Sequence, residues 1–489
     1  MIIALVILGC YVAWRVAKQK ETKLSTVYAA TAFVSQLIGA ICIFFFFFGI
    51  IRKQYQPETT YSFAPLAPQS ESEMVRQTKN PSPPTCPDYF RWIHEDLWPW
   101  KDIGITEEMI KKGEKNANFR LVVVNGKAYV ETYKESVQTR DKFTLWGILQ
   151  LLEKYSGRIP DLDLIFFCHD IPQVKIVDYV SLDLSHSNST WPPPPIFGYC
   201  SDEASLDIVF PDWAFWGWPE TRIKPWEMQL KDLLEENQKK NWVDREPYAF
   251  WKGNKDIAPL RGDLMKCNPA ADGSADWNAR LFHQDWFVEI QNGFSQSNLT
   301  DQCNYRYKIY VDGYTWSVSK RYILACDSPT LLIDSKYHDF FSRGLMPLQH
   351  YYPIHVDTMC YSIKSTVTFG KNHQHEAQEI GREGSAFVGK ELNMDRVYDY
   401  MFHLLNEYSK LLRFKPKVPE KAVEISSDSM TTKEQGLIKD YMMNSRIMSD
   451  QYSSSYYPSE CTLPAPFTPG ELKSLLRRKN ILAKQGLKI

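Results

Sequence analysis

The sequence lacks the short motifs that would assign a function at once. It has no GxGxxG of dinucleotide binders, no GK[ST] of a P-loop, and no CxxC pair or His-rich cluster that would suggest zinc. No internal repeat is visible. The formal net charge is −1 at pH 7, so the surplus of Lys and Arg that nucleic-acid binding requires is absent. What remains is a chain of 489 residues with ordinary globular composition.

Charge is also absent from residues 27–51, VYAATAFVSQLIGAICIFFFFFGII. This run is long enough to cross a bilayer as one helix, although a buried core helix is the alternative. More basic residues precede it (Arg15, Lys18, Lys20, Lys23) than follow it closely (Arg52, Lys53). Positive-inside counting predicts that residues 1–26 are cytosolic and that the bulk of the chain lies across the membrane. The shorter apolar run at residues 1–14 leaves a second insertion open.

Two further features favour a lumenal main domain. Asn188 and Asn298 stand in N-x-T triplets, which are N-glycosylation acceptors. Eight of the ten cysteines follow the predicted span, an even number that suits disulfides in an oxidising compartment. We therefore predict a single-pass type II protein of the Golgi or endoplasmic reticulum membrane.

Composition divides the rest of the chain. Residues 52–85 are rich in Pro, Ser and Thr and predict a disordered stem. From residue 86 to about 420, strand-like and helix-like segments alternate, which indicates an α/β fold with a largely parallel sheet. Residues 421–489 are more polar and predict an irregular C-terminal extension with one basic helix.

Asp170 is the carboxylate best placed for chemistry. It follows the strand-like LDLIFFC in CHDIPQV, and ligands of open α/β sheets bind beyond the carboxyl ends of strands. It could accept a proton from an attacking hydroxyl, or it could simply form a turn before Ile-Pro. The DLD triplet at 161–163 precedes that strand, so we interpret it as solvent-side capping and not as a metal site.

The stretch 308–333, KIYVDGYTWSVSKRYILACDSPTLLI, predicts a strand, a polar turn, a helix and a second strand. A helix N-terminus offers free amides to a diphosphate, and Gly313 would let the backbone come close. A simple helix cap is the alternative. The side chains available to an anion there are the hydroxyls of Thr315, Ser317 and Ser319 and a charge from Lys320 or Arg321.

Two other stretches have a functional and a structural interpretation. In FWKGNKDIAPLRGDLMKCN, residues 250–268, a strand ends before Asn254, and Arg261 begins a helix-like segment. That arginine could pair with phosphate oxygens or lie on the surface. PDWAFWGWPE, residues 211–220, is either a core plug or an aromatic platform for a sugar or acceptor. The predicted platform residues are Trp213, Phe215 and Trp216.

Seven segments in order resemble the Rumi-type protein O-glucosyltransferases and the fungal capsule-associated glycosyltransferases, most closely their plant branch. They span about residues 86–414 and read HDIPQV, PDWAFW, FWKGN…R, YKIYVDGYTWSVSKRYILACDS, MPLQHYYPI, AQEIGREGSAFV and YDYMFHLLNEYSKLL. The resemblance implies a GT-B-type fold, with two Rossmann-like lobes facing a cleft. It also implies inverting transfer from a UDP-sugar to a protein or polysaccharide hydroxyl, without a metal ion or other cofactor.

The resemblance carries over residue by residue. Asp170 falls on the family's base, Asn254 on the small polar residue after its F-x-[RK]-G turn, and Arg261 on its phosphate-binding arginine. Cys303 and Cys326 match a family disulfide, whereas Cys86–Cys360 and Cys200–Cys267 are only two of the open pairings for the remaining cysteines. The donor loop falls on Gly313, Tyr314, Thr315, Trp316, Ser317, Ser319 and the following Lys320.

Three departures qualify what the resemblance implies. Ser319 stands where the animal enzymes carry Arg, Lys252 where they carry Arg, and no KTEL-like retention signal ends the chain. Ser319 supports an alternative function, a non-catalytic lumenal binding protein that keeps the fold. A glycoside hydrolase would need two facing carboxylates, and only one is well placed. The donor sugar, glucose or xylose, stays open.

Overall fold

A computed structural model of the chain describes residues 84–179, 192–295, 297–447 and 460–489, all within one compact unit, residues 80–489. The predicted span at 27–51, most of the stem and the acceptor Asn188 lie outside the described residues. Within these described ranges, no helix combines the length and apolarity needed to cross a bilayer.

The first sheet is mixed and has six strands. They are β1 (Phe119–Val124), β2 (Lys127–Thr132), β3 (Leu162–Phe166), β4 (Ile196–Gly198), β5 (Ile208–Val209) and the late strand β11 (Val423–Ile425), in the order β11-β2-β1-β3-β4-β5. β1 and β2 form a hairpin around Asn125 and Gly126, whose φ angles of 51° and 74° suit a two-residue primed turn. Only β3, β4 and β5 pair in parallel.

The second sheet is parallel throughout and has five strands, in the order β10-β9-β8-β6-β7. Its strands are β6 (Glu246–Gly253), β7 (Ala279–His283), β8 (Tyr305–Tyr310), β9 (Thr330–Ile333) and β10 (Tyr352–Ile354). The prediction of an α/β fold is therefore confirmed, and the largely parallel sheet is found in this half of the molecule.

Helices cover both sheets and divide the apolar side chains into two cores, one around each sheet. The α-helices are α1 (Trp92–Asp96), α2 (Glu107–Glu114), α3 (Arg140–Lys154), α4 (Trp226–Lys239), α5 (Pro259–Met265), α6 (Trp286–Gln291), α7 (Ser319–Leu324), α8 (Met359–Asn372), α9 (Gln374–Glu391), α10 (Met394–Ser409), α11 (Ser427–Lys433), α12 (Gly436–Asn444) and α13 (Pro469–Gly486).

The C-terminal segment is more ordered than its polarity predicted. β11 extends the first sheet by pairing with β2, and α12 buries Tyr441 and Met442 against the first core. Cys461 forms a disulfide with Cys86. The prediction of irregular structure was wrong because a few buried side chains and one covalent bond hold a segment that is polar on average.

The DLD triplet also differs from its prediction as solvent-side capping. Asp161 does cap a turn, because it accepts a hydrogen bond of 2.8 Å from the Asn125 amide. Asp163, however, is fully buried within β3 and accepts two hydrogen bonds, of 2.8 and 2.7 Å, from Arg120. A buried carboxylate requires such a partner, and both faces of β3 are buried, so Asp163 has no solvent-facing side in this strand.

Three disulfides are present among the described residues. Cys303–Cys326 confirms the predicted pair, whereas Cys86 bonds to Cys461 and Cys267 to Cys360. The two other pairings considered were therefore wrong. Cys267 and Cys360 meet because the segments that carry them share the second core, and Cys168 and Cys200 stay as buried thiols in the first.

Candidate active site

A cavity of about 410 Å³ lies where residues from both sheets meet. Asp170 enters it from the segment after β3, Asn254 from the end of β6, and Gly313 from the loop after β8. All three positions follow the carboxyl ends of strands, where open α/β sheets bind ligands. The structure thus brings together residues that are far apart in the sequence.

Asp170 is held by an arginine that the sequence analysis did not single out. Arg140, the first residue of α3, donates to Asp170 Oδ1 at 2.6 Å, and its guanidinium carbon lies 4.3 Å from the Trp213 ring centroid. The Asp170 side chain is nevertheless 35 % exposed, against 10 % for that of Arg140. The carboxylate is therefore oriented from behind while remaining accessible from the cleft.

The backbone of the Asp170 turn is fixed from three sides. Asn118 Oδ1 accepts from the Cys168 amide at 2.8 Å, while the Asp170 carbonyl accepts from Thr315 Oγ1 at 2.7 Å and from Cys200 Sγ at 3.2 Å. Burial, with a smaller effect from the Arg140 charge, lowers the pKa of neighbouring His169. The lowered pKa favours the neutral form of His169.

Arg261 is the cation of the opposite wall. Its guanidinium donates to three backbone carbonyls, those of Asp312 at 2.9 Å, Asn254 at 3.3 Å and Val311 at 3.5 Å. Within the described part of the chain, no carboxylate lies at ion-pair distance from it, and burial lowers its pKa. An arginine that is held by carbonyls and faces a cleft is a site for an anion.

The loop between β8 and α7 borders this arginine. A Cβ at Gly313 would lie 3.4 Å from Arg261 Nη2, so the glycine allows the backbone and the guanidinium to approach closely. Ser317 and Ser319 line the cavity, and their hydroxyl oxygens are 2.9 Å apart. Tyr314, 58 % exposed, and Trp316 also line it.

Several predicted donor contacts are used elsewhere in the structure. Lys320 is buried, with its Nζ 2.7 Å from Ser342 Oγ and 3.7 Å from Asp339, and Arg321 forms a buried ion pair with Asp212. Neither residue supplies the charge expected in the donor loop. Thr315 is buried and links the loop to Asp170, while the side chain of Asn254 caps a short turn by accepting from the Asp256 amide at 2.9 Å.

The predicted aromatic platform is mostly core. Phe215 and Trp216 are fully buried, and the Trp216 indole donates to Tyr398 at 2.9 Å, so neither can meet a ligand in this structure. Trp213 reaches the cavity wall, where it is joined by Trp218 and Trp286. The interpretation of 211–220 as a core plug therefore fits two of the three predicted residues.

Among the described residues that line the cavity, no cluster of ligating atoms indicates a metal ion. Within the described ranges, the grouping of metal-ligating residues that the structure offers is Cys86, His403 and Cys461, whose two sulfur atoms already form a disulfide. Asn298 is exposed beside the Asp301 side chain, as a glycosylation acceptor requires. Its modification stays a prediction.

The chain belongs to the glycosyl transferase family 90, whose family model matches residues 81–489. It is similar to an O-glucosyltransferase rumi homolog of Anopheles gambiae, at 25 % identity over 68 % of this chain and 81 % of that protein. Human protein O-glucosyltransferase 1 is 24 % identical over 67 % of this chain and 81 % of its own length. Drosophila melanogaster O-glucosyltransferase rumi is 22 % identical over 71 % and 83 %. The chain is thus a glycosyltransferase, as the sequence resemblance predicted.

Proposed function

We propose that this protein transfers a sugar from a UDP-sugar to a hydroxyl of a protein acceptor, with inversion and without a metal ion. The relatives are named O-glucosyltransferases, which favours glucose as the donor sugar over xylose. The observation that carries the proposal is the pair of opposed groups in one cleft. Asp170 is an accessible carboxylate on one wall, and Arg261, on the other, is a cation without a carboxylate partner among the described residues.

The proposed reaction is a single displacement. Asp170 takes the proton of the acceptor hydroxyl, whose oxygen attacks the anomeric carbon of the α-linked sugar as the bond to the diphosphate breaks. Arg261 and the loop around Ser317 stabilise the negative charge that develops on the departing UDP. Because the acceptor attacks directly and no second nucleophile intervenes, the product is β-linked. Arg140 holds the Asp170 carboxylate in position beside the cleft.

The same proposal covers the architecture and the compartment. Two sheets with separate cores and a cleft between them support a GT-B-type arrangement. Three disulfides support folding in an oxidising compartment. Together with the apolar run at 27–51, they support a single-pass type II protein of the Golgi or endoplasmic reticulum, with its transferase domain in the lumen.

A non-catalytic lumenal binding protein is the second candidate. The ion pair between Arg140 and Asp170, together with Ser319 in place of the animal arginine, favours it. A carboxylate oxygen that already accepts from a guanidinium is less available to an acceptor hydroxyl. This candidate predicts UDP binding without transfer.

The test is UDP-sugar binding and turnover by the full chain in detergent. A panel of UDP-sugars is offered with and without EDTA and with folded protein acceptors. Turnover of one UDP-sugar that is insensitive to EDTA supports the proposal, while binding without turnover under every acceptor condition supports the second candidate. Absence of UDP binding contradicts both candidates. Loss of turnover with EDTA, restored by a divalent ion, contradicts metal independence alone.

A further inference from the structure

Tyr310, the last residue of β8, has a hydroxyl with two hydrogen-bond partners. Both lie in the wall of the cleft that carries Arg261, here called the second wall; the wall that carries Asp170 is the first. It donates to Asp312 Oδ1 at 3.0 Å and accepts from the backbone amide of Ser317 at 3.0 Å. The side chain is fully buried, so both bonds are shielded from water. A buried hydroxyl that both donates and accepts fixes the two groups it joins relative to each other.

Asp312 carries this connection to the arginine. Its carbonyl oxygen accepts from Arg261 Nε at 2.9 Å. Its carboxylate is held from the other side by the Lys336 amide at 3.2 Å and by Ser335, whose Oγ lies 2.8 and 3.0 Å from the two carboxylate oxygens. One residue therefore contacts both the guanidinium and, through Tyr310, the loop.

We propose that Tyr310 and Asp312 are positioning residues that set the distance between the Ser317 amide and the Arg261 guanidinium, and thereby the fit of the second wall to a nucleoside diphosphate. The inference rests on the proposed function, because it assigns to that site two positioning residues that lie outside the cavity wall. Tyr310 and Asp312 do not themselves line the cavity. Their effect on the ligand is therefore indirect.

Tyr307 provides a matched control on the same strand. It is fully buried like Tyr310, but its hydroxyl has no hydrogen-bond partner in the described structure. Tyr307→Phe and Tyr310→Phe thus remove the same atom, a hydroxyl oxygen, from two equally buried side chains of the same strand. Only the second change releases the Ser317 amide and Asp312.

The experiment measures UDP affinity, donor KM, kcat and thermal stability for the full chain and the two variants. We expect Tyr310→Phe to raise the UDP Kd and the donor KM about tenfold, the equivalent of one or two buried hydrogen bonds, while kcat changes less than about twofold. Tyr307→Phe should leave the UDP Kd and the donor KM within about twofold of wild type. A purely structural role for Tyr310 would lower the melting temperature without separating KM from kcat.

Ser335→Ala tests the same device from its partly exposed side, and it remains informative should Tyr310→Phe fail to fold. It removes one support of the Asp312 carboxylate and should raise the UDP Kd about threefold. If wild type binds UDP and either folded variant, Tyr310→Phe or Ser335→Ala, binds it as Tyr307→Phe does, the inference is overturned while the proposed function stands. If wild type itself does not bind UDP, the proposed function fails and the inference with it.

Discussion

The two walls of the cleft differ in whether their charged side chains form ion pairs. On the first wall the charges are neutralised in pairs, Arg140 with Asp170 and, behind them, Asp212 with Arg321. On the second wall Arg261 donates to backbone carbonyls, and its guanidinium carbon lies 5.5 Å from the Trp251 ring centroid. The paired charges of the first wall cancel, whereas a cation that has no carboxylate partner among the described residues attracts an anion.

The walls also differ in how they are fixed. In the second wall, Cys303–Cys326 joins the segment before β8 to the segment after α7, and Cys267–Cys360 joins the segment after α5 to α8. The first keeps Cys168 and Cys200 as thiols, and Cys200 donates to the Asp170 carbonyl. A hydrogen bond from Thr315 to that same carbonyl joins the walls. Two disulfides thus constrain the backbone of the second wall.

The largest effect is expected from a substitution in the first wall alone. Asp170→Asn keeps the shape of the side chain but cannot accept a proton, so transfer should fall by about 10²- to 10⁴-fold. UDP affinity should change less than about twofold, because the second wall is intact. The control is Asp161→Asn, an equivalent change at the other end of β3. Product formation and UDP calorimetry measure the two properties, and retained transfer in Asp170→Asn would assign the base elsewhere.

The next largest effect is expected from a substitution in the second wall. Arg261→Met removes a charged hydrogen-bond donor and should raise the UDP Kd by about 10- to 100-fold, with a smaller loss from Arg261→Lys. Arg280→Met is the control, because Arg280 lies in β7 of the same sheet but pairs with Asp276 at 3.1 Å. Equal affinity in Arg261→Met and wild type would remove this arginine from the anion site.

A smaller effect tests the rigidity of the donor side. Replacing Cys303 and Cys326 together by Ser should lower the free energy of unfolding by about 3 kcal/mol and weaken UDP binding about threefold. Replacing Cys267 and Cys360 should cost comparable stability but leave UDP affinity unchanged. Chemical denaturation and UDP titration are the measurements. The same loss of affinity in both double variants would show that only global stability matters.

The smallest effect separates His169 from Asp170 on the first wall. Burial lowers the pKa of His169, so the neutral form of this side chain is favoured near neutral pH. We expect His169→Gln to reduce transfer less than about threefold and to leave the pH dependence of the rate near neutral pH unchanged. A loss as large as that in Asp170→Asn, or a displaced acid limb, would make the histidine the base.

What the sequence predicted well is local. Asp170, Asn254 and Gly313 each follow a strand by one to four residues, and an apolar run followed by a turn is enough to place them. Arg140 was missed because its partner is thirty residues away. Its position could nevertheless have been predicted. Because α3 leads directly into β3, the start of α3 must lie near the end of the sheet where β3 finishes.

Other misses depend on which face of a segment is buried. Lys320 and Arg321 open α7 as the sequence predicted, yet both turn inward to carboxylates of other elements. Within 211–220, Trp213 and Trp218 line the cavity, whereas Phe215 and Trp216 lie in the core. Composition alone does not predict which of these side chains faces the cavity. Cysteine partners depend on tertiary packing, which explains why a family spacing predicted one pair, whereas the two other pairings considered were wrong.

The bond between Cys86 and Cys461 has a mechanical consequence. It closes a covalent ring spanning a sequence separation of 375 residues, and the Cys86 amide also donates to the Thr462 carbonyl at 2.9 Å. Tension applied to the chain at residue 84 therefore meets a backbone that is covalently joined to residue 461, so the N-terminal segment cannot be peeled from the C-terminal one while this bond is intact. Asp170, Arg261 and Gly313 all fall between the two bonded cysteines in the sequence.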